Sequence, residues 1–456
     1  MSFNLRLLLC AMWAVPAASG CSGVAVAPPV TSPSSVQTQR VAPAATAVAW
    51  SNFGFDAGQS GFNNLEKTLS TSNVGSLTSI WGGPGSYDTG IGGIVEAGGV
   101  IYMSVAFDGN IGSSALQALN AQTGKVLWTT NTGGGFGAVA VGDGRVFTVA
   151  DDSKDVCAYK TKTGAQVWCD AGNPTKYGPI DRGPAYSGGA VYFSIEGAAN
   201  VEDILEAANA KTGATLWVDN GGSNLAEDQD PPAVAKGRVY NYCSQGGSNP
   251  DMGICAYDAS SGSLIWTFVL ATKTSGQEIH LIVGHNAVIY YSLHHDIGSI
   301  NTSSAGAINS SGSQLWSDSF TVSGGVESPF GITTDDKKLY AQVDSPVSDS
   351  PEGLYAFDVT TGKQKWHVSL PPSEGDFGSI PSVANGVIYT MNQTGGGGGG
   401  VVALAASSGR VLFETPSGFG DTDGARPIVV NATVYAPCGD SNGGICAFGL
   451  SQKKRK

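Results

Sequence analysis

A phrase of ten or eleven residues recurs along this chain and restricts its fold more than any other feature. Residues 118–128 read ALNAQTGKVLW, with an apolar start, a Thr-Gly pair and a terminal aromatic residue. Further copies occupy residues 158–168, 207–217, 256–266, 307–316, 356–366 and 403–413, and an incomplete copy ends at residue 81. The terminal aromatic residues are 40 to 50 positions apart, which suits one four-stranded propeller blade each. They are Trp81, Trp128, Trp168, Trp217, Trp266, Trp316, Trp366 and Phe413.

Each copy reads as a β-hairpin. The Thr-Gly or Ser-Gly pair is a tight turn in which glycine adopts a positive φ, and the apolar run after it is the outer strand of a blade. A large aromatic side chain at one place in every blade can pack against the next blade. A second phrase, a glycine turn followed by an alternating strand, precedes most copies at residues 98–102, 143–147, 188–192, 236–240 and 385–389. It predicts the two inner strands of each blade.

The two ends of the repeat complement one another. The first copy contains only an outer strand, residues 77–81, whereas the last contains inner strands through residues 434–435 and 446–448 but no closing tryptophan phrase. Joining them gives seven contiguous blades and one composite blade, which hides the sheet edges. The sequence therefore predicts an all-β, eight-bladed propeller closed by its own termini, with seven blades as the alternative.

Composition agrees with this fold and argues against one class of partner. Charged residues make up 13% of the chain, glycine contributes 65 residues, and the net charge is -13. Such a chain is typical of all-β proteins with many tight turns. Nucleic acid is disfavoured, because affinity for phosphates comes largely from lysine and arginine. The one basic cluster, in the tail at residues 451–456, is predicted to be solvated.

The first 21 residues read as an export signal. Arg6 precedes an apolar run at residues 7–18, which is too short to span a bilayer. The run ends in Ala18-Ser19-Gly20-Cys21, which resembles a bacterial lipobox and predicts lipidation of Cys21; plain signal-peptidase cleavage is the alternative. Residues 22–48 are rich in Pro, Ala, Ser and Thr and predict a linker between this leader and the propeller at residues 49–450. The expected location is periplasmic or extracellular.

Six cysteines remain beyond the leader, and export makes disulfides possible for them. They fall into three successive pairs, whose members are 8 to 12 residues apart and bracket turn-rich segments. The pairs Cys157–Cys169, Cys243–Cys255 and Cys438–Cys446 would each close a hairpin, contributing about 2–3 kcal/mol apiece. Metal binding is the rival interpretation, but no Cys-x-x-Cys spacing supports it.

These repeats resemble those of the quinoprotein-like, or PQQ-like, β-propeller family. The Ala-x-Asp/Asn-x-x-Thr-Gly-x-x-x-Trp phrase is similar to that family's tryptophan-docking motif. The stretch from Trp50 to Trp81, with Phe53, Asp56 and Asn63 between them, is similar to the opening segment of quinoprotein alcohol dehydrogenases. The resemblance covers roughly residues 50–450 and specifies fold more than chemistry.

The resemblance implies two alternative functions. One branch of the family comprises quinone- and Ca²⁺-dependent dehydrogenases, and the other includes the lipoprotein scaffold of the outer-membrane β-barrel assembly machinery. This chain has neither the vicinal Cys-Cys pair of the alcohol dehydrogenases nor a Cys-x-x-Cys-His haem site. We therefore expect a monomeric, cofactor-free scaffold that binds a protein or an envelope polymer. A dehydrogenase that oxidises an alcohol or sugar with PQQ and Ca²⁺ is the alternative.

Candidate site residues precede or begin the innermost strands, where loops line the mouth of a propeller. For the dehydrogenase, Asp228 or Glu327 would be the base. Arg182, Arg426 and Glu278 would hold the cofactor, because carboxylate oxygens bind Ca²⁺ and arginine binds the carboxylates of the quinone. The other polar residues in such positions are Asp181, Asp230, His280, Asp376, Asp421 and Asp423. His294 and His295 are not predicted to share a metal, because consecutive strand residues point to opposite faces.

Overall fold

Eight sheets follow one another along the chain in a computed structural model of the protein, and all their strand pairs are antiparallel except Phe62–Asn63 with Ser382–Ala384. They belong to one compact unit, Thr46–Lys456. The structure describes residues 48–83, 90–106, 114–134, 137–150, 155–170, 183–195, 204–219, 230–245, 251–271, 277–297, 300–322, 329–343, 353–369, 379–392, 400–415, 425–438 and 444–451. The predicted leader, its lipidation site Cys21, almost all of the predicted linker and the basic tail lie outside these residues.

The first elements of the described residues are two strands and one 3-10 turn. They are β1 (Phe62–Asn63), η1 (Val74–Ser76) and β2 (Leu77–Gly82). Within the described ranges no helix is long and apolar enough to cross a membrane.

Blades 1 to 7 each contain four consecutive strands, ordered from the innermost to the outermost. Blade 1 comprises β3 (Ile91–Ala97), β4 (Val100–Ala106), β5 (Ser114–Asn120) and β6 (Val126–Asn131); blade 2 comprises β7 (Ala140–Gly142), β8 (Arg145–Ala150), β9 (Asp155–Lys160) and β10 (Gln166–Cys169). Blade 3 comprises β11 (Ala185–Ser187), β12 (Ala190–Ile195), β13 (Ile204–Asn209) and β14 (Thr215–Asp219); blade 4 comprises β15 (Ala233–Ala235), β16 (Arg238–Gln245), β17 (Asp251–Asp258) and β18 (Leu264–Ala271). Blade 5 comprises β19 (Gln277–Val283), β20 (Ile289–Ile297), β21 (Ile300–Ile308) and β22 (Gln314–Val322); blade 6 comprises β23 (Pro329–Thr334), β24 (Lys338–Val343), β25 (Gly353–Asp358) and β26 (Gln364–Val368). Blade 7 comprises β27 (Ser382–Ala384), β28 (Val387–Asn392), β29 (Gly400–Ala405) and β30 (Val411–Glu414).

Blade 8 is composite, as the sequence predicts. Its inner strands β31 (Ile428–Val430), β32 (Thr433–Pro437) and β33 (Ile445–Leu450) come from the C-terminal end, and β2 pairs antiparallel with β33 as the outermost strand. Neighbouring innermost strands contact one another around the ring, including β31 with β3. The count of eight blades is confirmed and the seven-bladed alternative is wrong.

The recurrent tryptophan of each blade is hydrogen-bonded to the next blade. In blade 1, the Trp128 Nε1–H donates to the carbonyl oxygen of Thr161 at 2.9 Å, and the Tyr102 hydroxyl approaches the same oxygen at 3.5 Å. The indole covers the following Thr-Gly turn so closely that a Cβ added at Gly164 would lie 2.5 Å from the ring. All the recurrent tryptophans donate in this way: Trp81 to Ala121, Trp128 to Thr161, Trp168 to Ala210, Trp217 to Ala259, Trp266 to Ser310, Trp316 to Val359 and Trp366 to Ala406.

Three disulfides connect neighbouring strands of a blade, in the pairs that the spacing suggests. Cys157–Cys169 joins the third and fourth strands of blade 2. Cys243–Cys255 and Cys438–Cys446 join the second and third strands of blades 4 and 8. All three therefore close hairpins within blades.

Strand direction gives the ring two different faces. The turns between first and second strands, such as residues 98–99, and between third and fourth strands, such as residues 121–125, all lie at one end of the blades, which we call the turn face. The connections between second and third strands and between successive blades leave from the opposite end, which we call the loop face.

Candidate functional site

A segment near the N-terminus, Trp50–Asn63, bonds in turn to the innermost strands of all eight blades, and we call it the crossing segment. Its contact in every blade lies within the last two residues of the innermost strand, so the segment spans the ring at its turn-face end. The bonds also satisfy amides that an innermost strand would leave unpaired. In blade order, its partners are Glu96, Val141, Tyr186, Val234, Val283, Thr334, Val383 and Val429.

Small residues and one amide side chain allow the crossing segment to follow the ring. The Asn52 side chain makes the two hydrogen bonds that a neighbouring strand backbone would make. Its Oδ1 accepts a hydrogen bond from the Tyr186 backbone N–H at 2.7 Å, and its Nδ2 donates to the Tyr186 carbonyl oxygen at 3.2 Å. Gly61 has a φ of 69°, and a Cβ there would lie 2.5 Å from Nη1 of Arg426. The backbone is thus pressed against the one arginine in the centre of the ring, among the described residues.

Arg426 is the least ordinary side chain of this region. It is 3% exposed, its Nε and Nη1 have no hydrogen-bond partner, and its Nη2 has only a 3.5 Å contact with the carbonyl oxygen of Ile332. The guanidinium lies 5.5 Å from the centre of the Phe53 ring. Burial lowers the pKa of Arg426 to about 10, while the negative charges of Asp230 and Asp56 oppose that shift.

Buried charges normally have hydrogen-bonded partners, and an arginine with unused donors is suited to bind an anion. The nearby apolar cluster of Phe53, Ala138 and Ile380 would favour a compact ligand with one charged group. The chemistry available at Arg426 is therefore recognition of a carboxylate or a similar anion.

Two further polar groups approach the centre of the ring from blades 4 and 5. Asp230, which precedes β15, lies with its Oδ2 3.0 Å from Nδ1 of His280 in β19. Both side chains are about nine-tenths buried. The pair connects adjacent blades, and the negative charge of Asp230 interacts with the guanidinium of Arg426.

A third group connects the crossing segment to blades 5 and 6 at the turn face. The two ring nitrogens of His285 lie 3.1 Å from Asp56 Oδ2 and 3.2 Å from Asp336 Oδ2. Hydrogen bonds to Asp336 and Asp56 raise the pKa of His285 to about 9. His285 is therefore an imidazolium that donates to two carboxylates at neutral pH.

Few of the predicted cofactor residues can be placed. Arg426 reaches the centre of the ring, and Glu278 belongs to β19, although its side chain is not described. Asp228, Glu327 and Arg182 lie outside the described residues, as do Asp181, Asp376, Asp421 and Asp423. Among the described residues no group of three or more His, Cys, Asp and Glu side chains is arranged to hold a metal ion.

Sequence reasoning missed Asp56, His285 and Asp336, because nothing in their spacing connects them. Asp56 belongs to a stretch that the family resemblance singles out, but that resemblance does not show that the stretch visits every blade. His285 and Asp336 could have been found from their positions, because each lies in a turn that follows the innermost strand of its blade.

Comparison with known proteins agrees with the fold. A family model described as outer membrane protein assembly factor BamB matches residues 112–305 and 298–455. No curated protein sequence is significantly similar to this chain.

Three solved structures share the architecture. The quinohemoprotein alcohol dehydrogenase of Comamonas testosteroni is 16% identical, with 91% of this chain and 82% of that chain covered and a TM-score of 0.67. The quinohemoprotein alcohol dehydrogenase ADHIIG of Pseudomonas putida HK5 is 15% identical, with 90% and 81% covered and a TM-score of 0.64. BamB from Moraxella catarrhalis is 15% identical, with 83% and 99% covered and a TM-score of 0.55. At these identities the similarity concerns the fold alone.

Proposed function

This chain belongs to the β-propeller family whose model is described as outer membrane protein assembly factor BamB, and on that premise we propose that it is a binding scaffold of the cell envelope. The family match, which extends over the two segments 112–305 and 298–455, is the observation that carries the proposal. The crossing segment supports it, because hydrogen bonds from one segment to all eight blades hold the ring together.

The loop face is the proposed binding surface, and its charge indicates what it would bind. Acidic residues occupy or adjoin strand ends at this face, whereas Arg426 is the only lysine or arginine at that end among the described residues. Complementary charge favours a protein with a basic surface over an anionic polymer. The acidic residues are Asp155, Asp170, Asp219, Asp230, Asp251, Glu278, Asp296 and Glu414.

Site-specific photocross-linking in the envelope tests this surface. A photoreactive residue would replace Asn131 or Glu414, which are exposed at the loop-face ends of blades 1 and 7. Matched controls replace Gln122 or Ser408, which are exposed in turns of the same two blades at the turn face. We expect one common protein adduct from Asn131 and Glu414. Absence of an adduct there, or an equal adduct at Gln122 and Ser408, would contradict a loop-face scaffold.

A second function, a quinone-dependent dehydrogenase, is favoured by the unused donors of Arg426. Nε and Nη1 fit a carboxylate of the quinone, which would supply the two-electron oxidation of an alcohol or sugar when bound. Arg182 and Glu278 would assist in holding the quinone and Ca²⁺, and Asp228 or Glu327 would accept the substrate proton. This function predicts stabilisation by added quinone, whereas the scaffold does not.

A further inference from the structure

The positive charges of the described residues are concentrated at one face. Apart from the buried Arg426, all described lysines and arginines lie in turns, at strand ends or on rim positions next to the turn face. Most of them are exposed. They are Lys67, Lys125, Arg145, Lys160, Lys162, Lys211, Lys236, Arg238, Lys337, Lys338, Lys363, Lys365 and Arg410.

Acidic residues at the turn face are fewer, and they are already paired inside the protein. Glu66 and Glu96 are buried and accept backbone amides. Asp56 and Asp336 are held by His285. The remaining four also have internal partners. Asp358 lies 3.0 Å from Lys365 Nζ, and Asp335 accepts the Tyr340 hydroxyl. Asp258 accepts hydrogen bonds from Ser260 and Ser261, and Asp143 is hydrogen-bonded with the Tyr186 side chain. Among the described residues this face carries thirteen lysines and arginines, most of them exposed, against these eight carboxylates, so its charge is predominantly positive, although the whole chain has a net charge of -13.

The form of the turn face suits a broad partner. The first-to-second turns of six blades contain two residues each, for example residues 143–144 and 236–237, so the blade ends project little. The exposed cations are spread over blades 1 to 4, 6 and 7 and are not gathered in one cleft. A planar anionic surface can contact many of them at once.

Both ends of the described chain lie at this same face. The backbone N–H of Val48 donates to Asn431 Oδ1 at 3.2 Å, and Asn431 Nδ2 donates to the Val48 carbonyl oxygen at 3.0 Å, in the first turn of blade 8. Ser451 follows β33 at its turn-face end, with its Oγ 3.2 Å from Thr78 Oγ1. The 47 preceding residues and the basic residues 453–456 are therefore joined to the propeller at the turn face.

We propose that the turn face docks on a membrane surface that carries anionic phospholipid head groups, with the loop face directed away from it. Clustered lysine and arginine residues are attracted to such surfaces, and the attraction decays within a Debye length, about 8 Å at physiological ionic strength. The acidic loop face is farther away, because a seven-residue strand such as β5 alone spans about 23 Å. Screening thus leaves the attraction of the turn face dominant. The proposal is independent of what the loop face binds.

Vesicle sedimentation with the full chain tests this docking. Cys21→Ser removes any contribution from an attached acyl chain. The probes are vesicles of phosphatidylcholine alone and vesicles in which about a third of the lipid is phosphatidylglycerol, at low salt and at high salt. We expect binding to the anionic vesicles only, with release at high salt. Equal binding to both vesicles, or binding that survives high salt, would overturn the proposal.

Two charge-matched variants locate the surface. Lys160→Glu, Lys162→Glu and Lys211→Glu together change three exposed turn-face residues of blades 2 and 3. Lys154→Glu, Lys176→Glu and Lys273→Glu make the same change of charge in connections whose flanking strands end at the loop face. We expect the turn-face variant to bind anionic vesicles at least about tenfold more weakly, and the control to bind like the parent. An equal loss in both variants would overturn the proposal, since it would show that net charge alone governs binding.

A soluble polyanion distinguishes a membrane from an acidic protein as the partner. Fluorescently labelled polyglutamate is titrated with the same chain under the same salt conditions. Weak binding to polyglutamate, with strong binding to anionic vesicles, is expected for a surface that matches a plane of charges. Tight binding to polyglutamate without vesicle binding would contradict the membrane and assign the face to an acidic protein.

Discussion

At the scale of single residues, one carbonyl oxygen per junction organises much of the ring. The oxygen of Ala259, for example, accepts the Trp217 indole N–H at 3.0 Å and the Tyr192 hydroxyl at 3.3 Å. The two sequence phrases thus meet at one atom of the following blade. Glycine follows in the same turn because the indole leaves no room for a Cβ and because φ is positive there.

Replacement of one such glycine separates these two requirements. Gly213 and Gly144 have φ values of 74° and 72°, but a Cβ would lie 2.7 Å from the Trp168 ring at Gly213 and would contact nothing at Gly144. Gly144→Ala should cost about 1–2 kcal/mol of unfolding free energy from backbone strain. Gly213→Ala should cost about 1–3 kcal/mol more from overpacking. Denaturant unfolding of both variants measures the difference, and equal losses would show that the indole contact contributes nothing.

The charge of His285 makes stability depend on pH in a stated direction. Its carboxylate neighbours raise the pKa of His285 from 6.5 to about 9, so protonation stabilises the folded state. That contribution is complete below pH 6.5 and is lost as the pH rises through 9. As the pH is raised from 6.5 to 9, we expect the thermal unfolding midpoint of the parent to decrease by more than the midpoint of His285→Gln. Identical profiles for the parent and His285→Gln would refute the assignment.

At the scale of elements, the crossing segment differs from all others because it belongs to no single blade. It is hydrogen-bonded to eight different strands, to six of them through its backbone and to two through the side chains of Asn52 and Asn63. The two-residue β1, parallel to β27, is its only regular strand. Such a segment has no hydrophobic period that sequence analysis could detect. Its resemblance to the opening of the quinoprotein dehydrogenases identified the residues without identifying their path.

Asn52 provides a test of that path. Asn52→Ala removes two hydrogen bonds to Tyr186, one of which is the bond that the Tyr186 backbone amide donates to Asn52 Oδ1. We expect a loss of about 1–3 kcal/mol of stability, together with faster hydrogen exchange of the Tyr186 amide. Asn64→Ala, at an exposed position just beyond the segment, should change stability by less than about 0.5 kcal/mol. Unchanged exchange at Tyr186 in Asn52→Ala would contradict the described pairing.

At the scale of the whole molecule, ring closure could be predicted because each repeat is incomplete without its neighbour. The unpaired outer strand at residues 77–81 and the missing one after residue 448 complement each other in the sequence itself. Phe413 shows the consequence at the junction. The third and fourth strands of blade 8 come from opposite ends of the chain, so no Thr-Gly turn connects them. Phe413 of blade 7, which faces this junction, therefore replaces the recurrent tryptophan, and its ring packs edge-on against Phe448.

The central site was far less predictable than the ring. Residues that meet in the centre or at the turn face are distant in sequence, such as Asp56 with His285 and Asp336 at the turn face, and only the ring brings them together. The spacing placed Arg426 before an innermost strand, but its burial and unused donors depend on Gly61 and Phe53 of the crossing segment. The difference in charge between the two faces was likewise not predictable, because the strand directions are needed to decide which turns lie at the turn face and which at the loop face.

The most direct test of the scaffold assignment is a thermal-unfolding titration of the purified protein with pyrroloquinoline quinone and Ca²⁺, with dye reduction followed in the same samples over a panel of alcohols and sugars. A scaffold should show no shift of the unfolding midpoint and no turnover. A dehydrogenase at 100 times the dissociation constant of its quinone would be stabilised by about 2.7 kcal/mol and would reduce the dye. Arg426→Gln, measured beside the parent, would lose that stabilisation if the quinone occupied the centre of the ring. Stabilisation with turnover in the parent would contradict the scaffold.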